Sequence, residues 1–117
     1  MTASPHYDTD FYGWAFQTAH LIRQKKFDQL DINHIAEEIE DMGKNIQREL
    51  RSRLMVLLCH LLKWKFESSK RSKNWKTTIK SQRLEIALVL KENPSLKSKL
   101  IASLEEAYPS AVVYNAP

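Results

Sequence analysis

A stripe of apolar residues runs in helical register along the middle of the chain and constrains its fold more than any other feature. Its members recur mostly at three- and four-residue steps, with no proline among them: Ile32, Ile35, Ala36, Ile39, Met42, Gly43, Ile46, Leu50, Leu54, Leu57 and Leu61. At 100° per residue they fall within a sector of about 120°, so the pattern predicts one long helix over about residues 32–66, ~50 Å in length. Gly43 lies inside this apolar stripe, where its small size favours close approach of a neighbouring helix over a bend.

The segments on either side also favour helices. The chain has only two Gly, and its four Pro are confined to positions 5, 94, 109 and 117, so the middle lacks the turn residues that a β-rich protein requires. Apolar periodicity predicts three more helices, over about residues 11–25, 74–91 and 96–108. The first is expected to bury Phe11, Trp14 and Ile22, and the last to bury Ile101 and to end at Pro109.

We therefore predict an all-α protein, an antiparallel bundle of about four helices around one long central helix. The length of 117 residues suits a single domain of residues 1–117, with its core in about 8–108 and a tail over 109–117. Apolar residues at 43% and charged residues at 27% are typical of globular chains rather than disordered ones.

Neither terminus nor cysteine content points to secretion. The first ten residues lack the basic and apolar regions of a signal peptide, and no run approaches the ~20 apolar residues that span a bilayer. We expect a cytoplasmic protein with no membrane partner. The single cysteine, Cys59, lies among apolar residues, which predicts a buried structural thiol rather than a nucleophile.

The sign of the charge reverses along the same stretch of chain. Residues 28–49 contain seven acidic residues against two basic ones, and residues 63–83 contain eight basic residues against one acidic. A helical hairpin with this pattern either neutralises itself or presents two oppositely charged surfaces to partners.

The acidic half holds a first candidate site, in which His34, Glu37, Glu38 and Asp41 follow helical spacing. A metal-dependent or acid–base enzyme would use such a cluster, but His34 and Asp41 point away from the apolar stripe and are predicted to face solvent. The sequence also lacks a Glu-x-x-His or His-x-x-x-His motif to complete a coordination shell. We therefore predict a solvated face, and no metal, cofactor or catalytic residue.

A second candidate is the pair His60 and Trp64, which lie four residues apart on one side of the long helix. We interpret them as a packing pair at the edge of the core. A pocket is the alternative, since the pKa of a histidine lies close to neutrality. No serine, cysteine or carboxylate at a suggestive spacing offers His60 a nucleophile.

The basic half is a third candidate. Residues 70–83 carry six cations with one tryptophan among them: Lys70, Arg71, Lys73, Trp75, Lys76, Lys80 and Arg83. A basic patch beside an aromatic is the footprint of nucleic-acid binding led by backbone contacts. Trp75, however, is in phase with Ile79 and Ile86, which favours a core position, and a solvated basic face is the simpler hypothesis.

The chain resembles a bacterial family of uncharacterised helical proteins abundant in cyanobacteria, domain of unknown function 29 (DUF29). The resemblance covers about residues 7–108. It rests on an ordered set of motifs: Tyr7-Asp8-x-Asp10-Phe11-Tyr12-x-Trp14, Phe27-Asp28-x-Leu30-Asp31-Ile32, Ile35-Ala36-Glu37-Glu38-Ile39-Glu40-x-Met42-Gly43, Arg53-Leu54 through His60-Leu61-Leu62-Lys63-Trp64, Arg71-Ser72-x-x-Trp75-x-x-x-Ile79-x-x-Gln82-Arg83 and Asn93-Pro94-Ser95-Leu96. The resemblance implies an all-helical bacterial fold with no established activity.

Together these patterns predict a noncatalytic helical module that binds another protein or itself, with nucleic-acid binding and a metal or acid–base enzyme as alternatives. The candidate binding residues come from the charged segments and the family motifs: Glu37, Glu38, His60, Trp64, Arg71, Lys73, Trp75, Gln82 and Arg83.

Overall fold

The computed structural model describes residues 4–115, which form four α-helices and no strand. The helices are α1 (Phe11–Arg23), α2 (Ile32–Phe66), α3 (Lys73–Glu92) and α4 (Leu100–Tyr114). Short 3₁₀ turns precede α2, α3 and α4 at Phe27–Gln29, Ser68–Lys70 and Pro94–Lys99. The predicted all-α class and the long helix over 32–66 are confirmed.

The chain divides into two compact units at Met42 and Gly43. We call the residues up to Met42 the N-terminal unit and those from Gly43 onward the C-terminal unit. The helix α2 continues through Gly43, and among residues 4–115 no neighbouring group lies within 4 Å of the place where a Cβ on Gly43 would stand. The close approach of a neighbouring helix predicted at Gly43 is therefore absent from the described structure.

In the N-terminal unit, Asp10 caps the start of α1, and its carboxylate accepts a hydrogen bond from the Gly13 N–H (3.0 Å). This is the capping arrangement that satisfies an otherwise unpaired donor of the first turn. A Cβ on Gly13 would lie 2.9 Å from Pro5, so glycine at this position lets the segment before α1 pack closely on it. Trp14 is the buried side chain of α1, whereas Phe11 and Ile22, which were predicted to be buried, are 48% and 42% exposed.

In the C-terminal unit, the core combines the second half of α2 with α3 and α4. Its fully packed members are Leu50, Leu54, Ile86, Val89 and Ala107. Cys59 is buried, as predicted, and burial raises the pKa of its thiol. A desolvated thiol above its ordinary pKa is a poor nucleophile at neutral pH.

The prediction that Pro109 ends the last helix was wrong, since α4 runs through Pro109 to Tyr114. A proline removes one backbone donor from a helix. Ala107 and Ala111, on either side of it, are 1% and 0% exposed, so packing holds the helix across the proline. Beyond it, the Asn115 side-chain amide donates to the Ala111 carbonyl (2.9 Å) and to the Cys59 carbonyl of α2 (3.3 Å). Of the predicted tail, 116 and 117 lie outside the described residues.

Two further expectations for α4 also change. Residues 94–99 form a 3₁₀ turn, so the α-helix begins at Leu100 rather than near residue 96. Ile101, which was predicted to be buried, is 71% exposed.

Candidate functional site

A cluster of five polar and aromatic side chains lies in the N-terminal unit, where the segment before α1 meets the start of α2. The ring of Tyr7 stacks on the imidazole of His34, with centroids 3.9 Å apart and planes 14° from parallel. The Tyr7 hydroxyl donates to the Glu38 carboxylate, and His34 Nδ1 hydrogen-bonds the Asp31 carboxylate. Trp14 meets the Tyr7 ring edge-on at 4.9 Å. These contacts fix the N-terminal segment to one face of α2.

Hydrogen bonding sets the charge states in this cluster. The bond to Asp31 raises the pKa of His34 and lowers the pKa of Asp31, since each ion stabilises the other. Donation to Glu38 raises the pKa of Tyr7 to about 12, because ionisation of the hydroxyl would break that bond beside a negative charge. At neutral pH Tyr7 therefore keeps its proton and acts as a hydrogen-bond donor.

His34 and Asp41 were predicted to face solvent, and both are partly buried, with the His34 side chain 35% exposed. Tyr7 covers His34 through the stacking contact. A cavity of about 380 Å³ adjoins the cluster and is lined in part by Trp14, Gln17, Thr18, Gln29 and His34. Within residues 4–115, no group of three or more His, Cys, Asp or Glu side chains is arranged to hold a metal ion.

The first half of the predicted apolar stripe is largely exposed rather than buried. Ile32, Ile39 and Met42 were predicted to be buried, yet they are 59%, 62% and 65% exposed, and Ile35 is half-buried. We call these four residues the N-terminal stripe. Since Tyr7 and Trp14 pack against the other side of α2, the N-terminal unit leaves this apolar face open to solvent. Glu37, one of the candidate binding residues, is exposed as well.

The candidates at the end of α2 form a second cluster. The Arg71 guanidinium lies 4.8 Å from the centroid of the Trp64 ring, and its Nε donates to the Trp64 carbonyl (2.7 Å). This combines a cation–π contact with a hydrogen bond to one of the last carbonyls of the helix, groups that have no partner inside the helix itself. Arg71 thus caps the C-terminal end of α2.

The other predicted residues of the C-terminal unit have separate roles. His60 Nδ1 is 2.9 Å from the Val56 carbonyl one turn earlier. Trp75 is half-buried, with the Lys63 ammonium 5.9 Å from its ring. Gln82 accepts a hydrogen bond from Arg53 (3.4 Å). Lys73 and Arg83 are exposed on α3.

Sequence reasoning missed Tyr7, Asp31, Arg53 and Lys63 as partners of these residues. Only the family motifs around Tyr7 and Asp31 could have drawn attention to the first two, since periodicity does not report contacts between distant segments. Arg53 also forms ion pairs with Glu49 (3.0 Å) and Glu85 (3.8 Å).

No helix in the described part of the chain is long and apolar enough to cross a membrane. Comparison with curated proteins and with solved structures finds no match. The family model for the domain of unknown function DUF29 matches residues 6–116, nearly the whole chain and both clusters. The chain therefore belongs to the DUF29 family.

Proposed function

We propose that the protein is a noncatalytic helical module that associates with a second copy of itself through the N-terminal stripe. The observation that carries this proposal is the exposure of Ile32, Ile39 and Met42 on a face whose sequence pattern calls for burial. Apolar side chains placed in helical register and left in water mark a surface that another protein covers.

The spacing of the N-terminal stripe supports a second copy as the partner. Positions 32, 35, 39 and 42 follow the three-four-three steps of the a and d positions in a coiled coil. In a two-fold dimer the same patch meets itself, so such a seam supplies its own complement. Ala36 is exposed beside the seam and is small enough to allow close approach of the helices. Glu38, on the other flank, is turned to Tyr7.

The N-terminal unit exposes a large amount of apolar surface. Eight large apolar residues of the N-terminal unit are exposed: Phe11, Tyr12, Phe16, Ile22, Phe27, Ile32, Ile39 and Met42. Three of them, Ile32, Ile39 and Met42, belong to the N-terminal stripe, and at about 150–250 Å² for a fully exposed large side chain they expose on the order of 350 Å². A standard interface buries ~800 Å² per partner, so the dimer would also cover side chains beside the stripe. A unit of two helices this short has too little interior to bury these residues by itself.

The charge of the N-terminal unit gives the association a distinctive salt dependence. Three basic and eight acidic residues give this unit a net charge of −5. Two copies brought together through it repel each other, and salt screens that repulsion. We therefore expect self-association to strengthen with rising salt concentration.

The test compares Ile39→Glu with Asn33→Glu by sedimentation over a range of protein concentrations. Both variants add one carboxylate to an exposed position of α2, but only Ile39 belongs to the N-terminal stripe. Ile39 is 62% exposed, so covering it is worth about 1–2 kcal/mol per copy and about twice that in a symmetric dimer. Ile39→Glu should weaken dimerisation by roughly 30-fold or more, while Asn33→Glu leaves it within a few-fold of the wild type. A wild-type chain that stays monomeric at high concentration, or an Ile39→Glu chain that dimerises normally, would overturn the proposal.

A further inference from the structure

The first half of α3 carries a row of four cations, Lys73, Lys76, Lys80 and Arg83, which we call the basic stripe. At 100° per residue these positions fall within about 80° of the helix circumference. Along the axis they extend over ~15 Å at 1.5 Å per residue. All four are exposed. The basic stripe is therefore a straight, one-sided array of positive charge.

The positive charge of the basic stripe is not neutralised within the described structure. The ion pairs found among residues 4–115 use other basic residues: His34, Arg51, Arg53 and Lys70. Of the acidic residues of α3, Glu85 lies 3.8 Å from Arg53. The C-terminal unit as a whole contains fifteen basic and six acidic residues, a net charge of +9. An anionic partner would find both a local row of cations and a favourable long-range field.

The backbone of α3 holds the basic stripe in place. Ser72 caps the helix by accepting a hydrogen bond from the Trp75 N–H (3.2 Å). On the opposite side Ile79, Ile86 and Val89 are buried in the core of the C-terminal unit. The first turn of α3 contains no acidic residue, although acidic residues stabilise that end of a helix. The positive end of the helix dipole therefore adds to the charge of Lys73 and Lys76.

We infer that the basic stripe binds the phosphate backbone of duplex nucleic acid. A row of cations on a rigid helix matches a row of phosphates, and the exposed hydroxyls of Thr77 and Ser81 lie beside it as further donors. Binding to single strands would use an aromatic platform within the basic stripe, and Trp75, the aromatic residue of α3, is half-buried. A membrane-surface helix inserts a broad apolar face into lipid, whereas α3 buries Ile79, Ile86 and Val89 in the protein core and exposes two large apolar side chains, Leu84 and Leu88.

Backbone binding of this kind has a predictable salt dependence. With four phosphate contacts, the slope of log K against log salt is about −3.6, so affinity falls roughly 100-fold between about 50 and 200 mM salt. Removing two of the four contacts should reduce the slope to about −1.8 and that loss to roughly 10-fold. No base-reading element is required, so affinity should not depend on sequence.

The experiment titrates a labelled mixed-sequence DNA duplex with the full chain at several salt concentrations. Lys76→Gln/Lys80→Gln removes two cations of the basic stripe, and Lys97→Gln/Lys99→Gln removes two exposed cations from the turn before α4. The two double variants have the same net charge. The first should halve the salt slope, and the second should leave it near the wild-type value.

Equal losses in both variants would overturn the inference, because net charge alone would then account for binding. It would also be overturned by the absence of duplex binding at low salt, or by stronger binding to phosphatidylserine vesicles than to DNA. Far-UV circular dichroism checks that both variants keep the helical fold. The outcome is independent of self-association, which should respond to salt in the opposite direction.

Discussion

Replacing Ile39 with alanine and Ile86 with alanine deletes the same atoms from two environments of different exposure. Ile86 is 8% exposed in the core of the C-terminal unit, and Ile39 is 62% exposed on the N-terminal stripe. At Ile86 the change loses buried apolar area and leaves a cavity among Leu50, Leu54 and Val89. Such substitutions cost about 2–5 kcal/mol. For a chain of this length that corresponds to a fall in Tm of roughly 10–20 °C.

At Ile39 the balance is different. Only about a third of its surface is buried, so the lost transfer free energy is about 0.5–1 kcal/mol, and no closed cavity forms. Alanine has a higher helix propensity than isoleucine, which offsets this loss by up to ~0.7 kcal/mol. Ile39→Ala should therefore change the free energy of unfolding of the monomer by less than about 1 kcal/mol.

The assay is urea unfolding followed by far-UV circular dichroism, on protein diluted until its sedimentation coefficient no longer changes. Raising the protein concentration should increase the cost of Ile39→Ala, since the wild type then gains stability from association, and should leave the cost of Ile86→Ala unchanged. Equal costs for the two substitutions in the monomer would refute the reasoning. Ile39 would then be buried in the free chain, and no apolar surface would remain to be covered.

Two further predictions concern the clusters. The stability that comes from the raised pKa of His34 is fully present below pH 6.5, the ordinary value, and is lost as pH rises through that raised pKa. The stability that comes from the lowered pKa of Asp31 is fully present above pH 3.8 and is lost as pH falls through that lowered pKa. The stability advantage of the wild type over His34→Gln should therefore be greatest between these two values, as measured by urea midpoints across pH; an advantage independent of pH would contradict the pairing. Arg71→Lys keeps the charge but loses the Nε bond to the Trp64 carbonyl, so amides in the last turn of α2 should exchange hydrogen faster with little change in overall stability. Unchanged hydrogen exchange in the last turn of α2 would argue against Arg71 as a cap of this helix.

The sequence did not predict the contacts of several candidate residues. His60 and Trp64 were predicted to pack together at the edge of the core; both are half-buried, and the side-chain hydrogen bond described for His60 goes to the Val56 carbonyl. Arg71 was grouped with the other cations of residues 70–83. In the structure its guanidinium packs on the Trp64 ring. A contact between the end of one helix and the following turn depends on the path of the loop, which periodicity does not encode. Glu38 was assigned to a solvated face for the same reason, since its partner Tyr7 lies 31 residues away.

Local sequence patterns were enough to predict the helices of this protein. The apolar stripe and the scarcity of glycine and proline specified a long α2 within an all-α chain, because helix formation depends on local periodicity and backbone preference. Which helix faces are covered depends instead on contacts between distant segments. Tyr7 packs over His34 and leaves Ile39 in water, and the packing of Ala107 and Ala111 carries α4 through Pro109. Burial is a property of neighbours brought together by the fold, so one helix can carry a correct apolar pattern and still turn part of it to solvent.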